Sequence, residues 1–102
     1  MTVVMQQTMP EGMTIEFLDE VTRQLGVLSD PPEGLIVHTH FAEGGRIRII
    51  DVWDSAQAFD TFRDGRLMPT MEKVAADAGM DLTQAPQPET TVTEVAGLVR
   101  GR

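Results

Sequence analysis

The feature that most constrains the fold is a glycine pair between two β-branched runs. The segments Leu35–Ala42 and Arg46–Trp53 are rich in Ile and Val, and the letters EGGR separate them. Gly44 and Gly45 can both adopt the positive φ of a type I′ turn. A loop of two residues fixes every cross-strand pair that follows it. The sequence therefore predicts a β-hairpin with a defined register.

The remaining segments place this hairpin in a larger plan. They predict two further strands, Thr2 to Gln7 and Thr90 to Val99. They also predict a helix capped by Thr14 and ended by Gly26, and a second helix capped by Ser55 that breaks near Gly65. A further helical segment is predicted from Pro69 to Gly79. This order is that of an α+β, ferredoxin-like βαββαβ fold. We expect one domain, residues 1–102, whose antiparallel four-stranded sheet carries helices on one face.

Helices on one face leave the other face of the sheet without a cover. A chain of 102 residues buries only about two thirds of the surface that its unfolded form exposes, so association would add core. We therefore expect a homodimer in which two copies form a dimeric α/β barrel.

The register predicts which side chains share a face. It pairs His38 with Asp51 and Ile36 with Trp53, and side chains alternate between faces along each strand. One predicted face carries Leu35, Val37, Thr39, Phe41, Ile50 and Val52, and the other carries Ile36, His38, His40, Ile47, Ile49, Asp51 and Trp53. We expect the first set to face the helices and the second set to be enclosed by the dimer.

The second face brings together both histidines of the chain and a carboxylate. Opposed Cβ atoms lie about 4.5–5.5 Å apart, so Asp51 can reach His38 and fix its tautomer, as a general base requires. We predict His38 and Asp51 as catalytic residues. The predicted substrate-binding residues are Ile36, His40, Ile49 and Trp53.

Two alternatives use the same residues. The His38–Asp51 pair can be a structural hydrogen bond that satisfies buried polar groups. His38, His40 and Asp51 are also the ligand types of a two-histidine, one-carboxylate metal site. A flat strand holds the two histidines nearly 7 Å apart, about two residue rises, and Asp51 would have to bridge them, so we predict no metal and no cofactor.

Composition excludes several classes of partner. Sixteen acidic and eight basic residues give a formal charge of −8, which repels phosphate backbones, so we expect no nucleic-acid partner. The chain has no cysteine, so thiolate zinc and iron–sulfur sites are excluded. No segment reads as a signal peptide or a membrane span, so we expect no membrane partner and a cytoplasmic location.

The residues of the hairpin and of the helix after it resemble a known superfamily. The segments GLIVHTHF and GGRIRIIDVWDSAQAFDTFRDGRLMPTM are similar to the dimeric α/β-barrel proteins, which include the antibiotic biosynthesis monooxygenase-like domains. The points of likeness are the histidine on the strand, DVWDS at Asp51–Ser55, AFDTF at Ala58–Phe62 and RLMP at Arg66–Pro69.

The resemblance implies a homodimer with a ligand cavity, either between the sheet and its helices or within the barrel. Members include cofactor-free monooxygenases, lactone isomerases, haem-binding proteins and proteins without known activity. This chain departs from some of the monooxygenases in having no tyrosine, and its two histidines one residue apart are not a general mark of the superfamily.

The functional prediction is a homodimer that binds a small hydrophobic or aromatic molecule. Its activity would be that of a cofactor-free monooxygenase or an isomerase acting on an aromatic or enolisable substrate. The alternatives are a non-catalytic ligand-binding module and a divalent-metal site.

Overall fold

Four antiparallel strands form one sheet, and the helices connect them in the predicted order. A computed structural model describes the whole chain, residues 1–102. The elements are β1 (Val3–Thr8), α1 (Ile15–Leu25), β2 (Leu35–Glu43), β3 (Arg46–Trp53), α2 (Ala56–Phe62), a π-helical segment (Arg63–Leu67), α3 (Met68–Asp77), a 3₁₀ turn (Leu82–Gln84) and β4 (Glu89–Glu94). The strand order is β2-β3-β1-β4, which confirms the ferredoxin-like α+β prediction. No helix is both long and apolar enough to cross a bilayer.

Local side-chain chemistry sets the boundaries of the elements. The Thr14 hydroxyl accepts from the backbone N–H of Phe17, and Gly26 ends α1 with a φ of 69°. Ser55 caps α2 in the same way as Thr14 caps α1. Gly44 and Gly45 have φ values of 60° and 78°, as a type I′ turn requires. The hairpin turn and both helix caps are therefore confirmed.

Gly65 does not break the helix, contrary to the prediction. The chain continues from α2 through the π-helical segment into α3. Gly65 has no positive φ, so it does not act as a C-cap. Beside it, Arg66 donates to the backbone oxygens of Leu25 and Asp30 at 3.0 and 3.1 Å, which fastens this segment to the end of α1.

The last strand is shorter than predicted. It ends at Glu94, although the β-branched pattern continues toward Val99. Glu94 pairs with Val3, the first residue of β1. Val95 still donates to the backbone oxygen of Thr2 at 2.9 Å, but β1 begins at Val3 and is the only neighbour of β4, so no strand is present to pair with the residues beyond it.

The prediction of which face the helices cover was wrong. Ile47, Ile49, Asp51 and Trp53 are buried, and the core cluster joins the three apolar ones to Leu18 of α1 and Phe59 of α2. Strand alternation separates two faces but does not say which one the helices cover. The handedness of the β1-α1-β2 crossover determines which face is covered. The alternation of residues along a strand does not give that handedness.

The opposite face of the sheet has no helix over it. It carries an apolar set from three strands, namely Val4, Val37, Phe41, Ile50 and Val52. All five are half-buried or exposed in the single chain, and Val37 is 46% exposed. An apolar sheet face of this kind is a surface that another element or molecule is expected to cover.

The backbone at Gly34, just before β2, lies very close to Ala58 of α2. Its φ is +86°, and an added Cβ would lie 2.6 Å from the Cβ of Ala58, whereas Gly45 has a positive φ but no atom within 4 Å of such a Cβ. Gly34→Ala should lower the free energy of unfolding by about 2–4 kcal/mol, from backbone strain and overpacking together. Gly45→Ala should cost about 1–2 kcal/mol, from backbone strain alone. Urea unfolding checks this, and equal losses would contradict the predicted clash.

Candidate active site

Asp51 is the only charged residue in the core, and both its oxygens accept hydrogen bonds. It occupies a position in β3 where every second side chain is buried, and it is 4% exposed. His38 on β2 lies with its Nδ1 atom 2.7 Å from Oδ1. The indole N–H of Trp53 donates to Oδ2 at 3.2 Å. A buried carboxylate is costly unless it is paired and hydrogen-bonded, and these two groups meet that requirement.

The register between His38 and Asp51 was predicted correctly. The structure pairs His38 with Asp51, His40 with Ile49 and Ala42 with Ile47. Because Asp51 accepts at Oδ1, the proton of the His38 ring belongs on Nδ1 and leaves Nε2 directed away from the carboxylate.

The hydrogen bonds continue from His38 to the protein surface. His38 Nε2 lies 2.9 Å from His40 Nδ1. His40 Nε2 in turn lies 3.2 Å from Oδ1 of Asp19 on α1. The Asp19 side chain is 63% exposed, whereas that of His40 is 19% exposed. These contacts form a chain that runs from a buried carboxylate, through two imidazoles, to a carboxylate in solvent.

A cavity of about 760 Å³ lies between the helices and the sheet face that carries Asp51. Volumes of this order accommodate small organic ligands. Most of its wall is apolar, including Met5, Leu18, Val21, Leu35, Ile49, Phe59, Phe62 and Met71. His38, His40 and Asp51 supply polar groups on the sheet side. The two histidines therefore face an apolar space beneath the helices.

Aromatic side chains gather at one end of this cavity. The Trp53 ring lies 5.7 Å from that of Phe59 in an edge-on contact and 5.6 Å from that of Phe62. All three residues line the cavity. Trp53 and Phe59 are nearly completely buried and Phe62 is half-buried, so the cluster forms a packed aromatic floor at this end of the cavity.

One cation lies on the helical side of the cavity wall. The hydrogen bond from Arg63 to Asp64, with an added contribution from Asp60, raises the pKa of the Arg63 guanidinium. Arg63 also lies over the Phe59 ring, 5.5 Å from its centroid. Its charge is therefore already paired with two carboxylates.

The predicted ligand contacts fall partly inside and partly outside this cavity. Ile49, His40 and Trp53 line it, but Ile36 does not. A β-bulge between Leu35 and Val37 leaves Ile36 without a cross-strand partner and pairs Leu35 with Trp53. Leu35 therefore takes the place in the wall that was predicted for Ile36, because one extra residue reverses the alternation of faces.

The side chains do not form a metal centre. No group of three or more His, Asp or Glu side chains is placed to hold a metal ion. The facing nitrogens of His38 and His40 lie at hydrogen-bond distance from each other. This arrangement differs from the two-histidine, one-carboxylate alternative that the sequence allowed.

Comparison with known proteins identifies the fold. No protein-family model matches the sequence, and no curated protein matches it significantly. Solved structures match it over nearly their full length. The cofactor-independent oxygenase SnoaB from Streptomyces nogalater is 15% identical, with 98% of this chain and 97% of that chain covered and a TM-score of 0.59.

Two further structures agree. A protein from Nitrosomonas europaea, assigned as an antibiotic biosynthesis monooxygenase, is 12% identical, covers 95% of this chain and 100% of its own, and gives a TM-score of 0.63. Rv0793 from Mycobacterium tuberculosis is 19% identical, with 99% and 98% covered and a TM-score of 0.56. The chain therefore shares the ferredoxin-like α+β fold of these proteins.

Within this fold, sequence reasoning missed the contribution of helix α1. Asp19 lies in the polar stripe of α1, between the buried residues Leu18 and Val21, and looks like an ordinary solvated carboxylate. Only the packing of α1 beside the edge strand β2 brings it to His40. Leu35 was also missed, because no residue in the run marks the bulge.

Replacing Asp51 by Asn tests the hydrogen bond between Asp51 and His38. Asparagine has one acceptor oxygen and one amide donor, and Trp53 can only donate. We expect the amide oxygen to keep the indole N–H, and the His38 proton to move from Nδ1 to Nε2 so that Nδ1 accepts from the amide. Stability should fall by about 1–3 kcal/mol.

Ring ¹⁵N NMR reports the tautomer and urea unfolding reports the stability. Asp54→Asn is the matched control, because Asp54 is the exposed residue just after β3. A His38 tautomer that does not change in the Asp51 variant would show that the two side chains do not meet.

Proposed function

We propose that this protein is a cofactor-independent monooxygenase-like enzyme that acts on a small aromatic or enolisable molecule. The substrate occupies the cavity between the helices and the sheet, and His38 is the general base. The observation that carries this proposal is the placement of His38 in the wall of an apolar cavity, with its Nδ1 atom 2.7 Å from buried Asp51.

The base works through the nitrogen that points away from Asp51. Asp51 holds the Nδ1 proton, so the lone pair on Nε2 can accept a proton from a carbon or oxygen acid. Trp53 limits the rotation of Asp51 by donating to its second oxygen. Because the carboxylate is held from both sides, the imidazole is oriented before the substrate arrives.

The steps that follow proton transfer, addition of dioxygen and loss of water, take place against the apolar wall of the cavity. Loss of a proton gives a carbanion whose charge is delocalised over the aromatic system. Addition of dioxygen to that carbon gives a peroxide, which takes up a proton and loses water to leave a carbonyl. One oxygen atom enters the product and the other leaves as water, so the substrate itself supplies the electrons. The proposal requires no flavin, haem or metal.

Structural likeness supports this choice without fixing the substrate. SnoaB, which has the same fold, is a cofactor-independent oxygenase. The cluster of Trp53, Phe59 and Phe62 favours a planar aromatic ligand. His38 and Asp51 as catalytic residues, and His40, Ile49 and Trp53 as substrate contacts, are part of the proposal, in which Leu35 replaces Ile36.

Oxygen uptake tests the reaction directly. Dithranol, a tricyclic ketone with an acidic methylene group, is a suitable probe in buffer that contains a chelator and no added cofactor. We expect one O₂ to be consumed per molecule and one ¹⁸O atom to appear in the product. His38→Ala should lower kcat by about 10²–10⁴-fold, the usual range for a lost general base. Glu43→Gln, an exposed change on the same strand, should leave kcat unchanged.

Other outcomes identify the alternatives. Exchange of the probe's acidic hydrogen with deuterated solvent, without oxygen uptake, would indicate an isomerase-type proton transfer. Thermal stabilisation by the probe with neither exchange nor uptake would indicate a ligand-binding module. Equal oxygen uptake by the wild type and His38→Ala would refute His38 as the base.

We further propose that the protein is a homodimer joined through the uncovered face of the sheet. The apolar residues of that face, Val37 and Phe41 on β2 with Ile50 and Val52 on β3, have no cover within the chain. A second copy presents the same apolar surface, and two such sheets pack with interdigitated side chains. This interface lies on the side of the sheet opposite His38, which differs from the enclosure predicted from the sequence.

A charged residue on that face should separate the copies. Val37→Glu should give a monomer by light scattering at micromolar concentration, because it places a carboxylate in an apolar interface. Met80→Glu is the control, since Met80 is 44% exposed and Val37 is 46% exposed, but Met80 follows α3 on the helical side. A monomeric wild type would contradict the proposed interface.

A further inference from the structure

Asp51, His38, His40 and Asp19 form a hydrogen-bonded series. To make all of its hydrogen bonds at once, this series needs one more proton than two neutral imidazoles carry. Its three contacts join carboxylate to ring, ring to ring, and ring to carboxylate, with distances of 2.7, 2.9 and 3.2 Å. Each hydrogen bond requires one proton. Two neutral imidazoles hold two protons between them, so the three bonds exist together only when the pair carries one positive charge.

The two carboxylates determine where the outer protons lie. A carboxylate can only accept, so Asp51 requires a proton on His38 Nδ1, and Asp19 requires one on His40 Nε2. The nitrogens left over are His38 Nε2 and His40 Nδ1, which face each other. Without the third proton, one of two contacts is lost: either two lone pairs oppose each other between the rings and the rings separate, or His40 carries its proton on Nδ1 and gives up the bond to Asp19.

We propose that His40, held by Asp19, is a positioning residue that shares the proton taken up by His38 and delivers it to solvent. The inference rests on the proposed function and deepens it by assigning a role to the second histidine and to helix α1. His40 acts through His38 and, in this role, is not itself the base.

The proton count closes at each step. When the rings are apart, His38 Nε2 is unprotonated and open to the cavity, and the substrate's C–H or O–H bond breaks as its proton moves to that nitrogen. The rings then close, and the new proton bridges His38 Nε2 and His40 Nδ1. When it passes fully to His40 Nδ1, the Nε2 proton of His40 can leave through Asp19 to water. Both imidazoles are then neutral, and His40 donates from Nδ1 to His38 Nε2 until the rings part again before the next turnover.

The surroundings fit a path from the cavity to solvent. His40 lines the cavity and its side chain is 19% exposed, whereas that of Asp19 is 63% exposed. Two carboxylates flank the shared charge, so the charged state pairs opposite charges. Asp51, at the other end, is sealed by Trp53. The hydrogen-bonded exit therefore runs through His40, beside direct release from His38, whose side chain is 36% exposed.

The shared proton can be observed without a substrate. In protein with ¹⁵N-labelled histidine, we expect a scalar coupling across the hydrogen bond between His38 Nε2 and His40 Nδ1, together with ring ¹⁵N shifts that place protons on His38 Nδ1 and His40 Nε2 in the same state. We expect Asp19→Ala to abolish this three-proton pattern. Glu16→Ala, which removes the charge of another exposed carboxylate of the same helix, should preserve it. Absence of the coupling in the wild type at every pH from about 5 to 8 would overturn the proposal.

Kinetics with dithranol separate a proton carrier from a structural clamp. His40→Ala should lower kcat about 10–100-fold and be partly rescued by added imidazole, because a free base can replace the lost ring. Asp19→Ala should lower kcat by about tenfold, and Glu16→Ala should not change it. A structural clamp predicts no rescue by imidazole, and that result would overturn the proposal.

Failure of this inference is distinguishable from failure of the proposed function. If His38→Ala loses activity while His40→Ala and Asp19→Ala keep wild-type kcat, His38 remains the base and the role given to His40 is wrong. If the wild type does not turn over the probe, the proposed reaction fails for that substrate. The NMR measurement then decides the shared proton by itself: the coupling together with protons on both outer nitrogens supports it, and absence of the coupling refutes it.

Discussion

The rest of the site depends on one buried carboxylate. Asp51 occupies a core position in β3, between Ile49 and Trp53 in the pattern of buried residues. An uncompensated charge there would oppose folding by several kcal/mol, of order 3–5 kcal/mol for a broken buried pair. The fold therefore has to bring two donors to it, and the hairpin register supplies His38 while the strand itself supplies Trp53. Orientation of the imidazole is a consequence of this requirement.

The same requirement connects the sheet to the helices. His38 lies on β2, which is an edge strand; its side chain is 36% exposed and reaches along the strand to His40. His40 then meets Asp19 of α1. The polar chain thus forms one boundary of the cavity, and the aromatic cluster around Trp53 forms another. A molecule in this space would contact a directed imidazole on one side and apolar surface on most others.

Much of the hairpin could be predicted because its turn is chemically explicit. Two adjacent glycines allow a two-residue loop, and loop length fixes the pairs from Ala42–Ile47 to Val37–Val52. The prediction failed at Ile36, where a bulge shifts the pairing by one residue. It also failed for Gly65, since a glycine only weakens a helix by about 1 kcal/mol and neighbouring contacts such as those of Arg66 can outweigh that cost.

The sequence by itself determined the order of elements, the turn, the helix caps and the meeting of His38 with Asp51, because each depends on residues close in the chain or on a register counted from one turn. The tertiary structure decided which face of the sheet the helices cover, and so placed the cavity within the chain rather than between two copies. It also brought Asp19 to His40 and Leu35 into the cavity wall. Those contacts depend on the handedness of the β1-α1-β2 crossover and on the position of α1 beside the edge strand β2. The spacing of residues along the sequence determines neither.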